Sequence, residues 1–186
     1  MAPINSTKIH ATETLAFAAL QAAAAQLGQC EHPKGSNRGP MVNEYLQSVG
    51  LSPGYAWCQA FVYWCYKMAA EKTGVVNPVV KTGSVHNCWN DTTSNTTVIK
   101  LLKAEIAKRP ELVKPGDQFI LFYNDSAGHT GIVERVTGSV LHTIEGNSNS
   151  NGSREGYEVA RHQRSIDDKT LIGFVRYTAN TGFTKS

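Results

Sequence analysis

With 186 residues, the chain fits one ordinary domain with room for a sizeable core. A hydrophobic content of 41% against 18% charged residues excludes a disordered chain, and no stretch reaches the length of a membrane-spanning helix. The formal net charge of +3 suits an anionic polymer such as a bacterial wall. It is far from a nucleic-acid footprint, since no basic cluster is interleaved with aromatics.

Residues 1–11 read as a loose entry. Thr12 or Thr14 is placed to cap an alanine-rich helix whose apolar stripe is Leu15, Ala18, Ala19 and Ala22, with Gly28 as its stop. Residues 15–27 superficially resemble a signal-peptide core. However, Glu13 precedes them, Gln21 interrupts them and only Lys8 supplies charge ahead, so the stretch reads as a helix of the folded domain. Residues 30–39 are turn chemistry, either a connector or a substrate-facing loop. Pro40 suits the first turn of a second helix, with Val42, Tyr45, Leu46 and Val49 on one face and Gly50 at its end. Pro53-Gly54 then turns the chain into a helix running from Cys58 to about Lys72. Gly74 caps it, and Phe61, Cys65, Met68 and Ala69 lie on one buried face. Ser84 caps a short helix carrying His86, Cys88 and Trp89, and residues 99–108 have the composition of another, ending at Pro110.

After Pro110 the character of the chain changes. Pro115-Gly116-Asp117 is a turn, residues 118–123 read as a strand, and residues 124–128 turn again. Residues 129–136 and 140–145 form a hairpin around Thr137-Gly138-Ser139. Residues 147–156 are a loop, 157–164 and 171–177 are two more strands, and a frayed tail follows Thr178. Helices first and an antiparallel sheet afterwards make an α+β fold with segregated halves.

Cys58 stands where its helix begins. The N–H groups of a first helical turn lack partners within the helix, and the dipole places partial positive charge there. Such a position suits a thiolate nucleophile, although a buried structural cysteine fits it too. The four cysteines, Cys30, Cys58, Cys65 and Cys88, make no zinc pattern: there is no C-x-x-C pair, and His32 after Cys30 is an isolated match. With Cys58 free, the other three allow at most one disulfide.

A thiol nucleophile needs a base, and the base needs an orienting acceptor. Among six histidines, His129 follows Ala127-Gly128 at the start of a strand, where a side chain projects from the sheet's end. With a three-residue hairpin loop, Val136 pairs with Val140. Counting outward then sets Gly131 opposite Glu145 and His129 opposite Asn147. Alternating positions share a face, so His129, Glu145 and Asn147 lie together, and either partner can accept from the imidazole Nδ1–H. A slip of one residue would part them. Glu145 and Asn147 also suit an ordinary strand end and turn, and His129 a satisfied surface histidine. His10, His32, His86, His142 and His162 read as structural or solvent-exposed.

Four motifs in order carry a resemblance: Trp57-Cys58-Gln59-Ala60-Phe61-Val62, Lys114-Pro115-Gly116-Asp117, Gly128-His129-Thr130-Gly131-Ile132-Val133 and Ile144-Glu145-Gly146-Asn147. Over roughly residues 54–177 the chain resembles the CHAP family of cysteine- and histidine-dependent amidohydrolase/peptidase domains. Residues 1–53 are then the N-terminal helical part of a single catalytic domain spanning 1–186. The resemblance implies a papain-like fold and cleavage of an amide bond in bacterial peptidoglycan, by an N-acetylmuramoyl-L-alanine amidase or a peptide endopeptidase. It maps the nucleophile onto Cys58, the base onto His129, and the orienting or polarising groups onto Glu145 and Asn147.

The oxyanion of such a reaction would sit at the helix N-terminus, on the Cys58 backbone N–H and a second donor. Tyr55 is a candidate for that donor and Trp57 for the cleft wall, and both equally suit packing. Some phage members of the family carry an acidic calcium loop before the cysteine. Residues 41–57 hold only Glu44, so no calcium is carried over, and neither metal nor cofactor is expected. Two alternatives stand beside this reading: a papain-like peptidase or transamidase acting on proteins, and a non-catalytic wall-binding domain. Retention of Cys58, His129 and Glu145 argues against the second. Further expectations are a monomer acting at the cell wall, in the periplasm or outside the cell, with no integral membrane association. An immunity or delivery partner and export without a clear signal peptide complete them.

Overall fold

The computed structural model describes residues 7–149 and 156–178. Four helices come first: α1 (Thr7–Ala25), α2 (Pro40–Ser48), α3 (Cys58–Thr73) and α4 (Val85–Asp91). The strands follow: β1 (Val98–Leu102), β2 (Gln118–Phe122), β3 (Gly128–Thr137), β4 (Val140–Ser148), β5 (Glu158–Ser165) and β6 (Leu171–Tyr177). A single-turn helix, α5 (Lys103–Ile106), and a 3-10 turn at Pro110–Leu112 join β1 to β2. The sheet runs β1-β6-β2-β3-β4-β5 and is antiparallel throughout.

The central helix α3 is enclosed on several sides. α1 and α2 pack against it on one side, and β3 and β4 on another. Its apolar residues therefore run round the helix rather than along one stripe, with Ala60, Phe61, Val62, Cys65, Tyr66 and Ala69 all buried. Tyr45 of α2 stacks on Trp57 at 5.6 Å between ring centroids and meets Phe61 edge-on at 5.3 Å. Each such aromatic removed from water contributes about 1.5–3 kcal/mol. At its far end α3 stops on Gly74, whose φ of 70° is the left-handed conformation that glycine adopts without a Cβ penalty.

Alternation along the strands covers both faces of the sheet. Ile120, Ile132, Ile144 and Val175 join the helix-side core, while Phe119, Leu121, Val133, Leu141 and Phe174 face a second core closed by Ile106 and Val113. Against the helix side, β4 comes unusually close to α3. A Cβ on Gly146 would lie 2.6 Å from Phe61 and 2.8 Å from the Trp57 ring, so only glycine fits between Glu145 and Asn147.

Several local expectations are corrected. The first helix begins at Thr7, so Thr12 and Thr14 lie inside it and do not cap it, and the loose entry to residue 11 does not hold for residues 7–11. Residues 98–102, read as helix from position 99, are strand β1. They pair with β6 from Val98 opposite Tyr177 to Leu102 opposite Gly173, and the non-local ladder overrides helical composition. β4 continues through Ser148, three residues beyond the expected end. The expected tail after residue 178 and most of the 147–156 loop lie outside the described residues. Ser84 caps α4 as expected, its side chain accepting from Asn87 N–H at 3.2 Å.

Candidate active site

The hairpin that places His129 against Glu145 reaches the expected register by a different route. Thr137 pairs with Val140, so the turn has two residues, Gly138 and Ser139, rather than three. That shift is undone at Glu134, a bulge between Val133 and Arg135, after which Val133 faces Thr143 and Ile132 faces Ile144. Continuing the count sets Gly131 beside Glu145, and a Cβ on Gly131 would stand 2.8 Å from the Glu145 Cγ.

His129 Nε2 lies 2.7 Å from Glu145 Oε2, with Glu145 fully buried. Cys58, the first residue of α3, lines the same pocket as the imidazole, and with Nε2 on the carboxylate Nδ1 is the ring nitrogen left to face the sulfur. The expectation that Nδ1–H faces Glu145 or Asn147 is corrected: the ring is turned the other way, with Nε2 on Glu145. Cys58, His129 and Glu145 thus form a line from helix terminus to sheet. Burial pushes the imidazole's pKa down, but the hydrogen bonds and charges of Cys58 and Glu145 outweigh it and raise His129 to about 9.

Glu145 collects donors on both oxygens. Arg164 of β5 forks onto it, Nε to Oε1 at 2.6 Å and Nη2 to Oε2 at 2.5 Å. Thr143 Oγ1 donates to Oε1 at 2.6 Å, and Ser148 Oγ to Oε2 at 3.4 Å. Burial alone would raise this carboxyl, but Arg164 first and His129 second hold it well below the usual carboxylate range. Ser148 Oγ also meets His162 Nε2 at 2.7 Å. His162, read as structural or exposed, therefore stands at the site, and burial lowers its pKa.

Asn147 is placed elsewhere than the strand count set it. β4 loses register with β5 between Glu145 and Ser148, and Asn147 has φ 51°, a left-handed conformation asparagine tolerates. Its amide does not meet His129. With the amide oriented so that both its ends are satisfied, its oxygen accepts from Trp57 N–H at 3.3 Å and its nitrogen donates to Gly156 O at 2.9 Å, tying β4 to the residue just ahead of Cys58.

Trp57 is fully buried, so its expected place in the cleft wall is corrected. Its indole N–H donates to Glu31 Oε1 at 2.9 Å, deep in the core. Tyr55 is exposed and stands outside the pocket beside Cys58, which is lined by His129, Asn147, Ser148, Arg164 and Tyr123. All four cysteines are free, and burial pushes the Cys65 and Cys88 thiols up, away from reactivity. Among the described residues no group of three or more His, Cys, Asp or Glu side chains is placed to hold a metal ion. Likewise, no described helix is long and apolar enough to cross a membrane.

Arg164, Ser148 and Tyr123 were not identified from the sequence. Arg164 reaches Glu145 from β5, which begins only at Glu158 while β4 ends at Ser148, so no short turn was there to count its register from.

A family model described as the CHAP domain matches residues 50–147. The chain belongs to the CHAP family. Among solved structures, this CHAP chain is similar to the wild-type endolysin LysIME-EF1, with a TM-score of 0.54 and 15% identity over 89% of this chain. It is also similar to Ly7917, at 0.47 and 18% over 88%, and to Ly7917 with the hydrolysing product of MDP, at 0.49 and 19% over 88%. The CHAP chain spans 65%, 62% and 63% of those chains, respectively, so all three are longer than it. A search of curated proteins finds no match. The fold is the papain-like α+β arrangement, with α3 presenting Cys58 and β3 presenting His129.

Proposed function

We propose that this CHAP chain hydrolyses an amide bond of bacterial peptidoglycan, as an N-acetylmuramoyl-L-alanine amidase or a peptide endopeptidase acting at the cell wall. The observation that carries the reading is the line Cys58–His129–Glu145 beside an open pocket, with Glu145 buried and 2.7 Å from the imidazole. Family membership supports the reaction class, and the endolysin among the similar folds supports the substrate. α1 packs on α3, and β5 supplies Arg164 to Glu145, so residues on both sides of the 50–147 match complete one catalytic domain in this reading.

Cys58 thiolate attacks the amide carbonyl, and the tetrahedral oxyanion forms at the N-terminus of α3, where the Cys58 N–H points without a helical acceptor. His129 imidazolium gives its proton to the leaving amine, the C–N bond breaks and a thioester remains. A water then attacks the thioester carbonyl. His129 takes that water's proton, the C–S bond breaks, and the acid product leaves with the thiolate restored. Glu145 orients the ring through Nε2–H and balances its charge in both half-reactions. Asn147 acts one step back, holding Trp57 and hence Cys58 in place.

Digestion of purified peptidoglycan followed by mass spectrometry tests the proposal. A freed muramoyl lactyl carboxyl with a new L-alanine amine identifies the amidase; a new amine within an otherwise attached peptide identifies the endopeptidase. Cys58→Ser is expected to remove either product, a loss of about a thousandfold or more. Undegraded wall with folded wild-type protein overturns the substrate, and cleavage surviving in Cys58→Ser overturns the nucleophile.

A further inference from the structure

The proposed chemistry uses three side chains in line, yet a fourth charged group touches the last of them. Arg164 sets one guanidinium edge, Nε and Nη2, on the two oxygens of Glu145 at 2.6 and 2.5 Å, while Phe119 lies under its guanidinium at 5.4 Å. Glu145 is fully buried, and the Arg164 side chain is 21% exposed. A buried carboxylate whose only charged neighbour is histidine has an uncertain charge: each time the imidazolium gives up its proton, the carboxylate loses its counter-ion. A permanent guanidinium behind it removes that dependence, because arginine does not titrate in the working range.

We propose that Arg164 is a positioning residue of this site: its fork aims Glu145 Oε2 at His129, and its fixed charge keeps Glu145 an acceptor while Cys58 and His129 exchange their proton. The proposal rests on the assignment of Cys58, His129 and Glu145 made above. It adds a member from β5, beyond the residues 50–147 that match the family model.

The electrostatic consequence follows from counting charges around Glu145. Facing it are Arg164 and His162 from β5, His129 from β3, and the neutral hydroxyls of Thr143 and Ser148 on β4. Slightly farther out are Cys58 on α3, Tyr123 after β2, Glu158 at the start of β5 and Asp168 in the β5–β6 turn. Taking one positive charge from this cluster makes every deprotonation in it harder. The pH range over which Cys58 becomes reactive must then move upward. A group that merely packs on Phe119 would change rates without moving that range.

The test is the rate of Cys58 alkylation by iodoacetamide against pH, read on the Cys58 peptide by mass spectrometry in the full chain. It needs no peptidoglycan, so a wrong substrate assignment leaves it intact. Slow or absent wild-type labelling at Cys58 would instead indict the site itself. Arg164→Met is expected to move the midpoint up, by about one pH unit or less, since the guanidinium touches Glu145 and acts on Cys58 through it and His129. Arg164→Lys keeps the charge and is expected to leave the midpoint in place. An unmoved midpoint in Arg164→Met, or an equal shift in Arg164→Lys, overturns the proposal. Should Arg164→Met not fold, Arg164→Gln takes its place, since it keeps a hydrogen-bond donor toward Glu145 while removing the charge. It must show the same upward shift, and an unmoved midpoint overturns the proposal.

Discussion

Among the described residues, two carboxylates are buried against arginine forks, Glu145 with Arg164 and Asp117 with Arg176, and they have been put to different ends. Asp117 closes the turn before β2. It accepts from Arg176 Nε at 2.8 Å and Nη2 at 2.7 Å, and from Lys114 N–H at 2.8 Å. The same guanidinium donates to the Leu112 carbonyl, and Tyr66 donates to the carbonyl of neighbouring Gly116. Every donor here is part of a brace between α3, the 110–117 segment and β6. Burial dominates and raises the Asp117 carboxyl against the pull of Arg176, whereas Glu145, with hydroxyls and a histidine added to its fork, is lowered. An arginine fork thus stabilises either carboxylate. What distinguishes Glu145 is a titratable partner beside an open pocket.

The largest expected effect tests the brace. Asp117→Asn leaves Arg176 without its counter-charge in a part-buried position and is expected to cost about 3–5 kcal/mol of stability. Urea unfolding measures this, while Cys58 alkylation per folded molecule should stay within about twofold of wild type. Loss of alkylation at undiminished stability would place Asp117 in the chemistry and dissolve the contrast.

Glu145→Gln tests the other side. It is expected to lower hydrolysis about 10- to 100-fold, equivalent to roughly 1.4–2.7 kcal/mol of transition-state stabilisation. The sign of its pH effect follows from His129, which is raised to about 9 by Cys58 and Glu145. In the wild type the imidazolium persists up to that region, so activity falls as pH rises through about 9. Without the carboxylate one of the two upward influences is gone, and the alkaline limb moves to lower pH. A rate profile from about pH 5 to 10 on folded protein shows whether it does. An unmoved limb would mean that Glu145 braces the fold as Asp117 does.

The contrast also explains what could be read in advance. Cys58, Gly74 and Ser84 sit at helix ends, where local chemistry decides the position, and all three were legible. His129 against Glu145 was legible because a hairpin count needs only nearby residues. The assumed three-residue turn was one residue too long, and the Glu134 bulge compensated for it. Arg164 and the strand at 98–102 were hidden because their partners come from distant chain. Lys100, Leu101 and Leu102 are good helix formers until β6 offers them a ladder. Asn147 was misplaced for a different reason: an even alternation assumes extended backbone, and its φ of 51° breaks the alternation.

That backbone makes Asn147 the finest probe of the comparison, and the smallest in effect. Its amide is neutral, and it touches Trp57 N–H and Gly156 O rather than the imidazole. Asn147→Ala therefore removes an anchor and also forces a Cβ-bearing residue with no compensating amide into a left-handed conformation, at a cost of about 1–2 kcal/mol. Asn147→Gly removes the same anchor but accepts that conformation, so it should recover part of the stability while losing the same activity. Both variants are expected to slow hydrolysis several-fold, on the order of threefold to tenfold, because Cys58 is held less firmly rather than differently charged. Neither should move the pH profile, since no charge near His129 has changed. Thermal melts separate alanine from glycine, and the profile separates both from Glu145→Gln. A shift in the Asn147→Gly profile as large as that of Glu145→Gln would mean the amide reaches the imidazole in the working enzyme. The Trp57 anchor would then be the wrong account of Asn147.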